Sequence, residues 1–190
     1  MKKIPSVFKR DYDGTRLVYN EVVPGCEWVL NGEGVPTEKI DGTACMVRDG
    51  KLYKRFDAKA GKTPPVGWEP CEEGPDEHTG HFPGWLPVGD GPEDKWHREA
   101  FEAFIFDIPD GTYELIGPKI QGNPYELGYH KLMRHGEIVL DCEARTFEAI
   151  REYLTQNVIE GIVWHHTNGR MAKIKRRDFG LEWPPKKRGT

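Results

Sequence analysis

Hydrophobic and polar residues alternate over short stretches in most of the chain, and glycine-containing turns separate these stretches. A period of two predicts β-strands, because successive side chains of a strand point to opposite faces. Asp-Gly and Asn-Gly pairs between such stretches predict tight hairpins. The predicted hairpins turn at Asp13-Gly14, Asp49-Gly50, Asp110-Gly111 and Asn168-Gly169.

Two longer segments follow a helical period. Residues 92–104 begin with a proline that suits a first helical turn, and residues 146–156 begin with Thr146 as a predicted N-cap. Their apolar faces are predicted to hold Trp96, Ala100, Phe101 and Phe104 in the first, and Phe147, Ile150 and Leu154 in the second. Further short strands are predicted at residues 27–30, 103–108, 111–117 and 138–140. These elements predict an α+β fold of mainly antiparallel sheets with a few helices.

Residues 63–95 break the pattern, because they hold seven prolines and six glycines. The segment also carries an acidic cluster and the aromatic residues Trp68, Phe82 and Trp85. We predict a long, ordered insertion loop that the aromatic side chains hold in place, and not a domain boundary. Its role is open between a lid and a cover for an edge strand.

Composition places the chain among soluble globular proteins. It has 190 residues, of which 37% are hydrophobic and 31% charged, so we expect a single domain over residues 1–190. Every apolar stretch is shorter than a membrane span, and the first 14 residues lack the apolar core of a signal peptide. We therefore expect a cytoplasmic protein. The four cysteines are predicted to be free thiols, with a weaker zinc alternative formed by Cys71, His78 and His81.

Charge is distributed unevenly, although the net charge is only −4. The last 21 residues carry eight basic and two acidic side chains. The basic residues are Arg170, Lys173, Lys175, Arg176, Arg177, Lys186, Lys187 and Arg188. This basic end indicates that a polyanion binds to one face of the protein. The alternative is an ordinary solvated tail.

Charged residues inside predicted strands are the candidates for chemistry. Lys173 and Lys175 alternate with an apolar residue, so both side chains are predicted to share a face, and Glu160 precedes the neighbouring strand. Glu114 lies in an apolar strand, where a carboxylate needs a partner. If these groups share a cleft with Lys39, ammonium groups would bind phosphates and carboxylates would bind a metal and ribose hydroxyls. That set suits a nucleoside triphosphate.

Five short motifs occur in a fixed order along the chain: EKIDG, LYKRF, YELIG, EGIVW and KIKRR. The set resembles motifs I, Ia, III, IV and V of the covalent nucleotidyltransferases, which include RNA ligases, DNA ligases and mRNA-capping enzymes. The stretch YELIGPKIQGNPY resembles the RNA ligases in particular, and above all compact ligases that seal RNA ends. The resemblance covers residues 38–175.

The resemblance implies a nucleotidyltransferase domain, similar to the ATP-grasp fold, around a nucleotide cleft. It implies ATP as substrate and Mg²⁺ or Mn²⁺ as cofactor. In such enzymes the motif I lysine, here Lys39, attacks the α-phosphate to give lysyl-AMP. AMP then passes to an RNA 5′-phosphate, and a 3′-hydroxyl attacks that activated end. The chain stops 15 residues after Lys175, so we expect no OB domain.

The resemblance also assigns roles to the remaining motif residues. Glu38 would contact the adenine edge, and Asp41, next to Gly42, would order the lysine and a hydrated metal. Arg55 would contact ribose or phosphate, with the adjacent Lys54 as the alternative. The last four assignments are Glu114 to ribose, Glu160 to the metal, and Lys173 and Lys175 to the α-phosphate.

One position and three other functions stay open. The family stacks an aromatic residue on adenine, but residues 130–135 read HKLMRH, so a histidine or an aliphatic side chain takes that place here. The alternatives are a minimal DNA ligase and a non-catalytic nucleic-acid-binding domain that uses the basic end with Trp164 and Trp183. The third is a metal-dependent hydrolase that uses Glu114 and Glu160.

Overall fold

The computed structural model describes residues 2–59, 61–76, 80–104 and 107–184. Contacts divide the chain into two compact units, which are described separately. Of the described residues, the first unit holds Lys2 and those between 41 and 135, and the second holds residues 3–40 and 136–184. None of the helices in the described ranges is both long enough and apolar enough to cross a membrane.

Eleven strands and three α-helices lie in the described part of the chain. The strands are β1 Phe8–Arg10, β2 Val18–Val22, β3 Val35–Lys39, β4 Thr43–Arg48, β5 Lys51–Ala58, β6 Glu69–Pro70, β7 Phe82–Pro87, β8 Gly111–Ile116, β9 Lys131–Arg134, β10 Gly161–His165 and β11 Met171–Lys175. The helices are α1 Glu27–Leu30, α2 Lys95–Glu102 and α3 Phe147–Gln156. Two 3₁₀ helices span Pro92–Asp94 and Arg176–Phe179.

The first unit is built on a six-stranded sheet with the strand order β6-β7-β5-β4-β8-β9. All of its strand pairs are antiparallel. Its core lies on one face of the sheet, where Ala100 of α2 is fully buried. The sheet contributes Cys45, Val47, Leu52, Tyr113, Leu115 and Leu132 to that core.

The second unit holds a three-stranded antiparallel sheet with the strand order β11-β10-β3 and a separate β1–β2 hairpin. Helix α3 packs on one sheet face through Ile150 and Leu154, which are fully buried. Thr146 caps this helix by accepting a hydrogen bond from the Ala149 N–H, as predicted. From the sheet, Ile162, Trp164, Ala172 and Ile174 complete this core.

The architecture confirms an α+β fold with mainly antiparallel sheets. The hairpins predicted at Asp13-Gly14, Asp49-Gly50 and Asn168-Gly169 are present as β1–β2, β4–β5 and β10–β11. The hairpin predicted at Asp110-Gly111 is wrong, because β8 pairs with β4 and β9. Its expected first strand, residues 103–108, is not a strand in its described part, and residues 105–106 lie outside the described residues.

Two further predicted elements differ from the structure. Residues 27–30 form helix α1, and not a strand, because the adjacent residues Trp28 and Val29 are both buried. A strand of a sheet with one solvated face would expose one of such a pair. Residues 138–140 make only a bridge from Val139 to Thr37 and flanking hydrogen bonds to β3.

The proline-rich segment 63–95 contains more regular structure than a loop. Strand β7 pairs with β5 over six residues, and the two-residue β6 covers the outer edge of β7. The carbonyl of Pro83 accepts from the N–H of Cys71 on the β6 side. The missing N–H of Pro83 therefore also faces that side, which leaves the ladder to β5 intact. The expected aromatic contact is present between Trp68 and Phe82, with ring centroids 4.9 Å apart.

Candidate active site

Three lysines lie on one face of the β11-β10-β3 sheet. Gly161 of β10 is directly opposite both Lys39 of β3 and Lys175 of β11. Two residues along, Val163 is opposite Lys173 in the same way. Directly opposite residues share a sheet face, so strand register brings the three lysines to one side. We call Lys39, Lys173, Lys175 and Glu160 the lysine cluster.

Gly161 leaves the middle of this face without a side chain. A Cβ on Gly161 would lie 2.1 Å from the carbonyl oxygen of Ile174, so no other residue fits without moving β11. Lys39 and Lys175 flank it from two strands whose axes are about 10 Å apart. The close approach of the β11 backbone to Gly161 therefore explains why a glycine directly follows Glu160 in this chain.

Glu160 provides the carboxylate of the cluster. Its Oε2 accepts a hydrogen bond from Lys39 Nζ at 2.6 Å, and its side chain is only 8% exposed. Its own carbonyl oxygen accepts from the Arg176 N–H at 2.8 Å, just beyond the end of β11. Two hydrogen bonds thus fix Glu160 between β3 and β11.

Positive charge exceeds negative charge in the cluster. Burial lowers the pKa of Lys173 to about 8, and the nearby Lys39 and Lys175 act in the same direction. Glu160 and Asp178 oppose these effects without cancelling them. A partly buried site with surplus ammonium groups favours an anionic ligand, because an anion supplies the missing counter-charge.

Glu38 does not join the lysine cluster. It is directly opposite Ile162 of β10, on the sheet face that packs against α3, whereas Lys39 points to the other face. Burial raises the pKa of its carboxyl group. The predicted contact of Glu38 with adenine stays a prediction.

In the first unit, Glu114 has a hydrogen-bonding partner, as expected for a carboxylate in an apolar strand. His135 Nε2 donates to Glu114 Oε2 at 2.6 Å, and His135 Nδ1 lies 2.9 Å from Thr112 Oγ1. Glu114 is directly opposite Ala44 on β4 and Met133 on β9. The sequence pattern had indicated a partner for Glu114 but not its identity.

Gly42 of motif I is needed for close packing in this unit. A Cβ at this position would lie 2.2 Å from the carbonyl oxygen of Leu115 and 2.8 Å from Cγ of Glu114. The backbone N–H of the preceding Asp41 donates to the hydroxyl of Tyr125 at 2.7 Å. A larger residue than glycine would therefore displace Glu114.

The neighbours Lys54 and Arg55 point to opposite faces of β5. Lys54 is opposite Cys45 on the core face and forms an ion pair with the buried Asp94. Arg55 points to the face that carries Glu114, and its guanidinium lies 5.3 Å from the Trp85 ring centroid. Its Nη1 is 3.3 Å from Cys71 Sγ. Of these two alternatives, only Arg55 shares a face with Glu114.

The HKLMRH stretch contains one aliphatic side chain on the face of Glu114. Leu132 is buried in the core, whereas Met133 is directly opposite Glu114. His130 is also engaged in other contacts, since it forms a hydrogen bond with Glu99 and stacks on Trp96 with ring centroids 4.5 Å apart. Met133 is therefore the side chain best placed to cover a base next to Glu114.

The zinc alternative has no support within the described residues. No group of three His, Cys, Asp or Glu side chains there can hold a metal. Cys71 lies beside Arg55, and His81 pairs with Asp57. His78 lies outside the described residues.

Fewer basic side chains near the C-terminal end are available to bind a polyanion than the composition suggests. The guanidinium of Arg176 donates to main-chain carbonyls, including that of Asn157 at 2.9 Å. Arg177 donates to the carbonyl of Trp183. Lys186, Lys187 and Arg188 lie outside the described residues. Trp164 and Trp183 are 0% and 7% exposed, so neither can stack on bases, which argues against the non-catalytic binding domain.

Comparison with known proteins identifies the family. Residues 92–189 match the family model described as RNA ligase 1, which is more than half of the chain. The chain belongs to the RNA ligase 1 family. This match includes Glu114, Glu160, Lys173 and Lys175. The family membership confirms the RNA ligase branch to which the ordered motifs pointed.

Individual members of the RNA ligase 1 family align with nearly the whole chain. RNA ligase 1 of Danio rerio is 29% identical over 267 residues, covering 96% of this chain and 82% of the relative. RNA ligase 1 of Pongo abelii is 28% identical over 273 residues, with coverages of 96% and 82%. The aligned lengths exceed the 190 residues of this chain, so these relatives carry inserted segments.

Two residues beside the lysine cluster were not predicted from the sequence to belong to the site. Asp178 is 3% exposed, and its Oδ2 accepts from the backbone N–H of Lys175 at 2.8 Å. Arg10 of β1 pairs with the other carboxylate oxygen. The available signal for Asp178 was an acidic residue three positions after the end of a strand, which is the spacing of a capping box. Nothing in the sequence connected Arg10 to it.

Proposed function

We propose that this protein is an ATP-dependent RNA ligase that joins 5′-phosphate and 3′-hydroxyl ends through lysyl-AMP and adenylated RNA. The observation that carries the proposal is the lysine cluster, in a chain of the RNA ligase 1 family. Three lysines on a single sheet face, with a buried glutamate that accepts a hydrogen bond from one of them, suit a polyphosphate. Lys39 occupies the position of the motif I nucleophile.

In the first step, Lys39 Nζ attacks the α-phosphorus of ATP. The new bond joins Nζ to that phosphorus, and the bond to the bridging oxygen of pyrophosphate breaks. Lys39 reacts as the neutral amine after its proton has passed to solvent, because an ammonium has no free electron pair. Lys173 and Lys175 would hold the α-phosphate oxygens and offset the charge that develops on them.

Glu160 fits a role in binding Mg²⁺ or Mn²⁺. A magnesium ion that accompanies a nucleotide is usually held by one or two carboxylates together with phosphate oxygens and water. A single buried carboxylate beside the lysines matches that donor set. The metal would neutralise phosphate charge, while Glu160 itself orients Lys39 through their hydrogen bond.

The residues of the first unit complete the proposal on the basis of the motif resemblance. Glu114 would bind ribose hydroxyls, oriented by His135, and Arg55 would contact ribose or phosphate. Met133 would cover the adenine in place of an aromatic ring, since a thioether side chain makes favourable contacts with flat rings. Asp41 and Glu38 keep the roles assigned from motif I. We also propose that the protein acts in the cytoplasm, in RNA repair.

Labelling with ATP tests the first step. The protein is incubated with Mg²⁺ and ATP carrying a label at the α-phosphate, then denatured. We expect label that survives denaturation on the wild type and not on Lys39→Ala. Label from GTP but not from ATP would contradict ATP as the substrate, and no label from either would contradict Lys39 as a nucleophile.

Strand joining tests the choice of nucleic acid. Wild-type protein receives a 5′-phosphorylated RNA strand and a 3′-hydroxyl RNA strand, and in parallel an all-DNA nick. We expect the RNA ends to be sealed faster. Preferential sealing of the DNA nick would favour the minimal DNA ligase, and RNA cleavage without ATP would favour a metal-dependent hydrolase.

A further inference from the structure

The N-terminal segment runs along the outer edge of β11. Ser6 forms a parallel bridge with Lys173. The Lys173 N–H donates to the Pro5 carbonyl, and the Lys173 carbonyl accepts from the Val7 N–H, both at 2.9 Å. Residues 5–7 therefore hold the backbone of a cluster lysine by two hydrogen bonds.

The same segment continues into β1 and reaches the end of β11 through Arg10. One terminal nitrogen of Arg10 donates to the Arg16 carbonyl at 2.7 Å, within the β1–β2 hairpin. The other pairs with Oδ1 of Asp178. The second oxygen of Asp178 accepts from the Lys175 N–H at 2.8 Å. A continuous chain of hydrogen bonds thus links the N-terminal hairpin to the backbone of Lys175.

Asp178 is placed to hold Lys175 rigidly. Its side chain is 4% exposed, and the side chain of Arg10 is 27% exposed. A carboxylate buried to this degree needs its cationic partner, so loss of Arg10 would also disturb the contact with Lys175. A hydrogen bond to the N–H of the last strand residue fixes the direction in which β11 ends. Lys175 is that last residue, so the direction in which β11 ends also determines where its side chain points.

We propose that Arg10 and Asp178 are positioning residues that hold Lys175 in the geometry needed to bind the phosphate of the nucleotide. This inference rests on the proposed function, because it assumes that Lys175 contacts phosphate. Neither residue touches the reacting atoms in this account. Arg10 acts through Asp178, and Asp178 acts through the backbone of Lys175, in addition to its negative charge, which raises the pKa of Lys173.

The test measures the rate of ATP labelling in Arg10→Gln, Arg10→Lys and Asp178→Asn. We expect Arg10→Gln and Asp178→Asn to lower the rate at saturating ATP by about 10- to 100-fold, as displacement of a positioned group does. The KM for ATP should change much less. Arg10→Lys should recover part of the rate, since an ammonium can still pair with Asp178.

Lys9→Gln is the matched control. Lys9 precedes Arg10 on the same strand and forms its own ion pair with Glu21, on the exposed side of the hairpin. If Arg10 only stabilised the hairpin, both variants would lower the melting temperature and neither would change the rate per folded molecule. Equal rates in Arg10→Gln and Lys9→Gln would overturn the inference.

A double variant tests whether Arg10 acts through Lys175. In single-turnover labelling, adding Arg10→Gln to Lys175→Met should cause no further loss, because the group it positions is already absent. A full additional loss would show that Arg10 acts independently of Lys175, and would overturn the inference. If the wild type itself is not labelled, the proposed function fails instead.

Discussion

Two partly buried lysine–carboxylate pairs occur among the described residues, one in each unit, and they differ in what surrounds them. Lys39 and Glu160 form the first pair, and Lys54 and Asp94 form the second. The lysine side chains are similarly exposed, at 21% and 16%, and so are the acids, at 8% and 3%. Burial alone therefore does not separate the pair for which we propose a catalytic role from the other pair.

The difference lies in the neighbouring charges. Lys39 and Glu160 have two further lysines on the same sheet face, which leaves positive charge without a counter-charge. Asp94 is matched by Lys54 and also accepts from the Gly89 N–H at 2.8 Å. Although burial raises the pKa of Asp94, Lys54 and that N–H outweigh it and keep the pKa below its usual value. A balanced pair needs no ligand, whereas the lysine cluster attracts an anion.

The largest expected effect is on chemistry at the first pair. Lys39→Arg keeps a cation for Glu160, but a guanidinium stays protonated and cannot act as a nucleophile. We expect covalent labelling by ATP to fall by about a thousandfold or more. Thermal unfolding should change little, and Lys9→Arg, an exposed lysine of the same unit, should label normally. Substantial label on Lys39→Arg would contradict the role of Lys39.

The second pair should respond in stability. Lys54→Met leaves the Asp94 carboxylate buried without its cation, and we expect the free energy of unfolding to drop by about 3 kcal/mol. Urea unfolding followed by circular dichroism measures this change. The double variant Lys54→Met with Asp94→Leu should recover much of the loss, because both buried charges are gone. No loss in the single variant would mean that the pair is not structural.

A third variant separates function from stability within the lysine cluster. Lys173→Met removes a buried cation, so we expect weaker labelling but an increase in unfolding free energy of about 2 kcal/mol at pH 7. In the folded state the pKa of Lys173 is lowered from 10.5 to about 8. The destabilisation by its charge is complete below pH 8, so the gain should shrink as pH rises towards 10.5. Lower stability of Lys173→Met at pH 7 would contradict the surplus of positive charge.

The smallest expected effect comes from His97, 3.9 Å from Asp94. Burial lowers the pKa of His97 below 6.5, so the folded state favours the neutral ring. The unfolded chain takes up a proton first as pH falls through 6.5, and the wild type should lose stability below that value, by up to about 1 kcal/mol. Urea titrations at pH 7.5 and 5.5 should show a smaller difference for His97→Gln. An equal difference would mean that His97 is not buried in its neutral form.

Local patterns predicted three of the four hairpins and helix α3, because turn residues and a capping threonine act within a few positions. Helix α1 was missed, since four residues are too few to show a helical period. Strand β7 was missed because its prolines mark a loop in most contexts, and its main partner, β5, is separated from it in sequence by most of the proline-rich segment. Whether such a segment forms a strand depends on pairing with segments that are not adjacent in sequence.

The candidate site shows the same limit. Alternation within β11 was enough to place Lys173 and Lys175 on one side, away from Ile174. Alternation within β3 places the side chains of Glu38 and Lys39 on different faces of the sheet. The motif resemblance, in contrast, assigns both residues to one nucleotide site. Partners that approach from elsewhere in the chain, such as His135 at Glu114 and Arg10 at Asp178, leave no local pattern.

In the proposed mechanism Lys39, and not another lysine, carries the nucleotide. Mass spectrometry of peptides from the wild-type protein, after reaction with ATP and Mg²⁺, identifies the lysine that is modified. We expect an AMP adduct on Lys39 alone, which pyrophosphate removes by reversing the step. An adduct on Lys54 or Lys173, or no adduct on a folded protein, would contradict this mechanism.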